Sequence, residues 1–318
     1  MPSTAPRPIT AVISGETSGY GTWWVELLFA IAAAAGVAFV LLERRARNPI
    51  LDVRFFRRPA FAGSNIVAFS TYFGLFAIFF FIALYLQVVA SQSPYQTAVD
   101  FVPMAAGMVM ASLLAGRWVA RSGPRVPMVT GCLTAAAGIF VTNALISPHV
   151  EFGTLGWTLP LAGIGFGLAI VPVTSSALSS IPPEHSGMAA SMTNTSRELG
   201  AVVGVAVLGS VVNGQLTVDL VRRLQAIGIP KQYQSVVVTA VTTGNFSQQA
   251  ATSAKGSPSI AAIVDKVVGA AYGAFSHGLD LALLMAGAFM VLSAIVATLT
   301  MKTPGLVADD GDTTNQLH

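Results

Sequence analysis

AFAGSNIVAFSTYFGLFAIFFFIALYLQVV, at positions 60–89, runs for thirty residues without a charged side chain. A helix rises about 1.5 Å per residue, so this run reaches about 45 Å. The hydrocarbon core of a bilayer is roughly 30 Å thick. Apolar residues follow one another here without the in–out alternation of a barrel strand, so the segment reads as a membrane helix with room to tilt. Six more runs have the same character, at 22–42, 97–120, 126–147, 154–179, 186–213 and 277–301. The chain is therefore expected to be an all-α polytopic membrane protein with seven transmembrane helices.

The bulk composition agrees. Of 318 residues 53% are hydrophobic and only 10% charged, and the mean hydropathy is +0.68. A water-soluble domain carries about 25% charged residues. The net charge of +3 is small, and its placement carries more information than its size. Arg44, Arg45, Arg47, Arg54, Arg57 and Arg58 fall between the first and second runs, and Arg117, Arg121 and Arg125 around the junction of the third and fourth. Lys302 follows the last run, while the gaps at 90–96 and 148–153 have neither Lys nor Arg. The positive-inside rule assigns the basic loops and the C-terminus to the cytoplasm. Basic loops beside a membrane report orientation and give no reason to expect a nucleic-acid partner.

The flanking segments follow. Positions 1–21 lack the h-region and cleavage site of a signal peptide and are expected outside the cytoplasm. The loop at 43–59 is expected in the cytoplasm, and the polar tail at 302–318 is expected to be disordered there. An N-terminus stranded outside without a cleavable signal is unusual and leads to the expectation that something precedes it. The loop at 214–276 is expected outside, with an amphipathic surface helix through Leu216, Leu220, Val221 and Leu224 and a second helical stretch at 260–271.

Several classes are excluded. Cys132 is the single cysteine, so there is neither an intrachain disulfide nor a multi-cysteine metal site. No P-loop, H-E-x-x-H or G-x-S-x-G pattern occurs, so no enzyme, metal or cofactor is expected. Lys231, Lys255, Lys266 and Lys302 all lie in loops or at a span end, which removes a retinal Schiff base and with it the seven-helix photosensor.

Ordered patterns narrow the class. Tyr85-Leu86-Gln87 precedes Ser93-Pro94, Ala98 and Pro103. Later come Gly163, Gly165, Gly167 and Pro172, then Gly187, Asn194, Arg197, Leu199-Gly200 and Gly204-Val205-Ala206. The basic loop runs from Glu43 through Pro49 to Phe55-Phe56-Arg57. In this order and spacing the chain resembles the 14-span drug:proton antiporter branch of the major facilitator superfamily. The resemblance implies that the run at 22–42 is the second central linker helix and that positions 60–301 are a six-helix C-terminal half. It implies parallel repeats of two inverted three-helix units with the site at their interface. The implied function is proton-coupled efflux of drugs or other amphipathic compounds across the cell membrane, by a partial chain not competent alone. The implied partners are the lipid bilayer, a small amphipathic substrate and protons, together with an N-terminal half or a second copy. The alternative is a non-transporting membrane module that docks on a partner membrane protein.

Candidate residues separate into three groups. Arg197 and Glu198 lie about halfway along the sixth run, where charge is costly; Arg197 either anchors an anion or pairs structurally, and Glu198 either carries a proton or bonds a neighbouring helix. They stand about 100° apart on the helix, so separate partners are expected. The resemblance puts Tyr72, Phe76 and Asn194 toward a central cavity. Asp100, Glu26 and Asp280 read as solvated interface residues, with Asp100 kept as a pathway candidate. Asn65 is expected to bond another helix. The second group, Gly116, Arg121, Gly123 and Arg125, resembles a degenerate copy of the family's cytoplasmic G-x-x-x-D-R-x-G-x-[RK] loop, with Ala120 in place of the aspartate. It either relays charge or only sets topology and binds anionic lipid. The third group pairs small residues four apart, Gly163 with Gly167 and Gly200 with Gly204, and predicts close helix packing.

Overall fold

The computed structural model describes residues 53–90, 92–146, 152–227 and 258–301, together with positions 27, 31, 34 and 38. Six long helices make up most of it: α1 (Pro59–Val88), α2 (Pro94–Ser122), α3 (Arg125–Leu145), α4 (Phe152–Ser179), α5 (Ser186–Ala226) and α6 (Pro258–Thr300). Short 3-10 turns at Val53–Arg57 and Pro183–His185 precede α1 and α5. Six helices long and apolar enough to cross a membrane are thus present among the described residues, where seven were expected. The seventh, at 22–42, lies outside them except for Leu27, Ile31, Ala34 and Ala38, which are helical and exposed. The expectations for 1–21, Glu26, 228–257 and 302–318 also lie outside.

Local chemistry sets the helix ends. Ser93 caps α2 in a reciprocal box with Gln96, and Pro94 occupies the first turn. Proline lacks an N–H, and the first turn does not need one. This starts α2 earlier than the expected position 97. Gly123 closes α2 with φ 73°, a backbone conformation glycine adopts without steric cost, and α3 begins two residues later.

Packing joins helices both next to each other and far apart along the chain. α2 and α3 both pack on α4, α1 packs on α5 and α6, and α3 and α5 also pack on α6. Glycines allow these approaches. Gly163 and Gly167 face the Met104 and Met108 carbonyls of α2, whereas Gly165 faces Ala135 of α3. α4 is therefore sandwiched between two helices, with its small residues on opposite faces. Gly200 and Gly204 meet Phe69 and Phe73 of α1. The basic turns gather at one end, where Arg58 Nη1 donates to the Ser180 carbonyl at 2.7 Å.

Two expected boundaries are corrected. α5 continues past 213 to Ala226, and α6 begins at Pro258 rather than 277. At 41 and 43 residues they reach about 62 and 64 Å, more than a bilayer core needs. The stripe read as a surface helix is half of an antiparallel pair. Leu216, Leu220 and Leu224 are buried in one cluster with Val267, Ala270, Ala271 and Ala274, so the apolar stripe meets a protein partner and not a membrane surface. His277 of α6 hydrogen-bonds with Asp219 of α5, and Arg222 Nη1 lies 3.8 Å from the same carboxylate. Asp219→Ala is expected to loosen this arm. His277 is half-exposed, so the contact is worth about 1 kcal/mol. Amide hydrogen exchange in 214–226 and 266–276 should speed up roughly fivefold, with the bundle unchanged; unchanged exchange in the arm would show that the leucine stripe alone holds it.

Candidate functional site

The mid-depth charges lie on α5. Arg197 is eleven residues and Glu198 twelve from the start of the helix at Ser186, about 16 and 18 Å along the axis. Thr193, Gly200, Ala201 and Gly204 are buried, so this helix sits against α1 along one face. Asn194, Thr195, Glu198, Leu199 and Val202 are exposed on the other. Arg197 sits between the two faces, half-buried.

Two helices position the guanidinium. Arg197 Nη2 donates to Thr174 Oγ1 on α4, and its carbon lies 5.4 Å from the centre of the Tyr72 ring on α1. Cation–π attraction at such a distance is favourable and grows when water is excluded. Tyr72 stacks on Phe76, one turn along, with centroids 6.2 Å apart and planes 25° apart. Phe76 is exposed. Tyr72, Phe76 and Arg197 thus form one group, bordered by the outward face carrying Asn194 and Glu198.

Other expected residues lie elsewhere. Asp100 is not a solvated interface residue: it is buried in α2, and its Oδ2 has no hydrogen-bond partner among the described residues. Stacking of Phe79 on the adjacent Phe101, at 4.9 Å, closes that part of the α1–α2 surface. Asp280 is half-buried, and its backbone carbonyl accepts from Asn143 Nδ2 at 3.5 Å. Gly116 and Arg121 are exposed near the end of α2, Gly123 makes the turn, and Arg125 opens α3.

Asn65 makes the expected contact between helices, accepting from Ser196 Oγ at 2.9 Å while its amide donates to the Phe61 carbonyl. Thr174 and Ser196 were missed. A lone hydroxyl in a membrane helix usually bonds its own backbone, as Thr71 and Thr193 do here, so nothing in the sequence singles these two out.

Comparison with known proteins fits this architecture. Residues 5–205 match the profile of the Major Facilitator Superfamily, and the chain belongs to that family. It is 28% identical over 242 residues to the multidrug resistance protein Stp of Mycobacterium tuberculosis, covering 76% of this chain and 44% of Stp. It is 33% identical over 272 residues to the drug efflux pump JefA of the same organism, covering 82% and 53%. Against the puromycin resistance protein pur8 of Streptomyces alboniger it is 34% identical over 201 residues, covering 62% and 40%. The chain thus spans about half the length of these relatives. The crystal structure of a bacterial homologue of the human lysosomal transporter Spinster, inward-facing and occupied, superposes with a TM-score of 0.58 at 16% identity, covering 92% of this chain and 62% of that one. This likeness concerns the fold. The protein is a multi-pass membrane protein of a transporter family, and these relatives are transport and resistance proteins rather than enzymes.

Proposed function

We propose that this chain forms one wall of a secondary transporter that exports amphipathic compounds in exchange for protons, of the drug-efflux kind named in its relatives. The observation that carries this is the outward face of α5: Asn194 and Glu198 are exposed about 12 and 18 Å from the helix start, the middle of a bilayer core, beside the half-buried Arg197. Lipid tails offer no partner to such groups, and polar residues at this depth normally face a bundle interior or a water-filled path. A facing wall of helices would close that path over α1, α2, α4 and α5. Glu198 is the proton-carrying candidate on the open face, and Asp100 is a second carboxylate on the wall. The basic turns at the other end of α1 and α2 set the orientation, with the C-terminus in the cytoplasm.

Two measurements test this. In native membranes Asn194→Cys should react with a water-soluble thiol reagent. Leu133→Cys, on the exposed side of α3, should stay unreactive, and Cys132 is fully buried. An Asn194→Cys as inert as Leu133→Cys would mean that the face meets lipid, and the transport reading would fall. In proteoliposomes the purified chain alone should give no drug-driven proton flux; such a flux would remove the need for a second wall.

A further inference from the structure

Arg197 carries its charge at mid-depth with no acidic side chain in ion-pair contact among the described residues. Neither of the Asp219 contacts, with Arg222 and with His277 near the far end of α5, involves Arg197. Glu198, the neighbouring carboxylate, is exposed and lies beyond ion-pair distance of Arg197. A guanidinium has five N–H donors in a planar fork, and Thr174 takes one of them. The remaining donors meet no described acceptor, and none of them is a sealed, unsatisfied buried atom. They are therefore open to a ligand approaching from the exposed face. Leaving a cation unpaired at this depth is costly, while two flanking helices already fix its plane.

We infer that Arg197, Thr174 and Tyr72 form a receptor for a carboxylate joined to a flat aromatic body. It rests on the reading of the α5 face as solute-accessible. The geometry supplies each half of the ligand. A planar fork held by a hydroxyl and a ring matches the two oxygens of a carboxylate better than any neutral acceptor does. Immediately beside it the Tyr72 and Phe76 rings, stacked at 6.2 Å, offer an aromatic panel about one helical turn long. Offset stacking on such a panel selects a flat ring system. A cationic amphipath would meet the Arg197 charge head-on, so this subsite selects against it. Glu198 limits affinity through its negative charge one residue away and orients the carboxylate toward Arg197.

The test uses the full chain in lipid nanodiscs and two fluorescent probes with one aromatic body, pyrenebutyrate and the neutral pyrenebutanol. Pyrenebutyrate should bind at least about tenfold more tightly than the alcohol, as charge-assisted hydrogen bonding allows. Arg197→Gln should erase that preference while leaving pyrenebutanol binding in place, and Arg197→Lys should keep only part of it, since a point charge lacks the fork. Tyr72→Leu should weaken both probes. Glu198→Gln should tighten pyrenebutyrate alone, a gain that misfolding does not produce. Equal binding of the two probes to the unmodified chain would overturn the inference, as would a preference that survives Arg197→Gln. Loss of both probes in Arg197→Gln, restored equally by Arg197→Lys, would mark the residue as structural and also overturn it. Binding is read at equilibrium on the purified chain, so absence of flux does not count against it. A reactive Asn194→Cys together with equal binding of the two probes would overturn this inference and leave the transport reading standing.

Discussion

Gly165→Val is expected to prevent stable packing of α3 on α4. A β-carbon at Gly165 would stand 2.1 Å from the Ala135 backbone nitrogen, 2.5 Å from its Cα and 2.7 Å from its Cβ. The obstacle is backbone, so no side chain can swing aside. The same interface is tight from the other side, where a β-carbon at Gly138 would stand 2.3 Å from the Ala162 nitrogen. Overpacking a close-packed interior costs about 1–3 kcal/mol and sometimes more. Gly165→Ala should reach that range, and valine should exceed it. Within lipid the loss has no hydrophobic compensation, because helix association there depends on van der Waals contact and hydrogen bonding. Cys132 supplies the readout: it is fully buried on α3, and its Sγ lies 3.7 Å from Ser293 Oγ of α6. Reaction with a thiol-reactive dye during heating should shift to lower temperature by roughly 5 °C or more for Gly165→Ala. Gly165→Val should react before heating. Gly209→Ala is the control, since nothing lies within 4 Å of its added carbon; it should be neutral or stabilising by about 0.5–1 kcal/mol through helix propensity. If Gly165→Val melted like the unmodified chain, the close approach of α3 and α4 would be wrong.

Phe73→Ala is expected to have the next largest effect. Its ring is 1% exposed and stacks on Phe289 of α6, with centroids 4.5 Å apart and planes 17° apart. The Phe73 carbonyl and ring also lie under Gly204 of α5. One side chain thus joins three helices, and truncation leaves a cavity between them. Phe→Ala in a close-packed core costs about 3–5 kcal/mol. The lower end applies here, because the deleted surface exchanges protein contacts for an equally apolar environment. Phe80→Ala, on the same helix but 47% exposed, should cost less than about 0.5 kcal/mol. The same Cys132 melting measurement separates the two; equal shifts would mean that α1 is rotated from the orientation described.

These contrasts locate what was legible in the sequence. The five phenylalanines from Phe73 to Phe81 fall on several helix faces, and nothing in the sequence says which ring goes where. The structure buries Phe73 and Phe81, half-buries Phe79 against Phe101 and leaves Phe76 and Phe80 outward. In a water-soluble helix, polar residues would have marked the outer face. Here the run is apolar all round, because lipid and protein interior are equally apolar solvents, so the pattern carries no direction. Asp100 was misread for a related reason: its place near a helix end suggested solvent, whereas packing of α2 encloses it.

What the sequence determined by itself is what a one-dimensional pattern can hold. Length without charge specified membrane helices, arginines in alternate gaps grouped the turns at one end, and small residues four apart announced close contacts. Tertiary structure decided the partners. It set Gly163 and Gly167 against α2 but Gly165 against α3, joined the leucine stripe after position 213 to α6, and brought Thr174 of α4 to Arg197 of α5. These pairings join residues on different helices, and contacts across that distance depend on how the helices are rotated against each other. That rotation is fixed only when all the glycine contacts are made together.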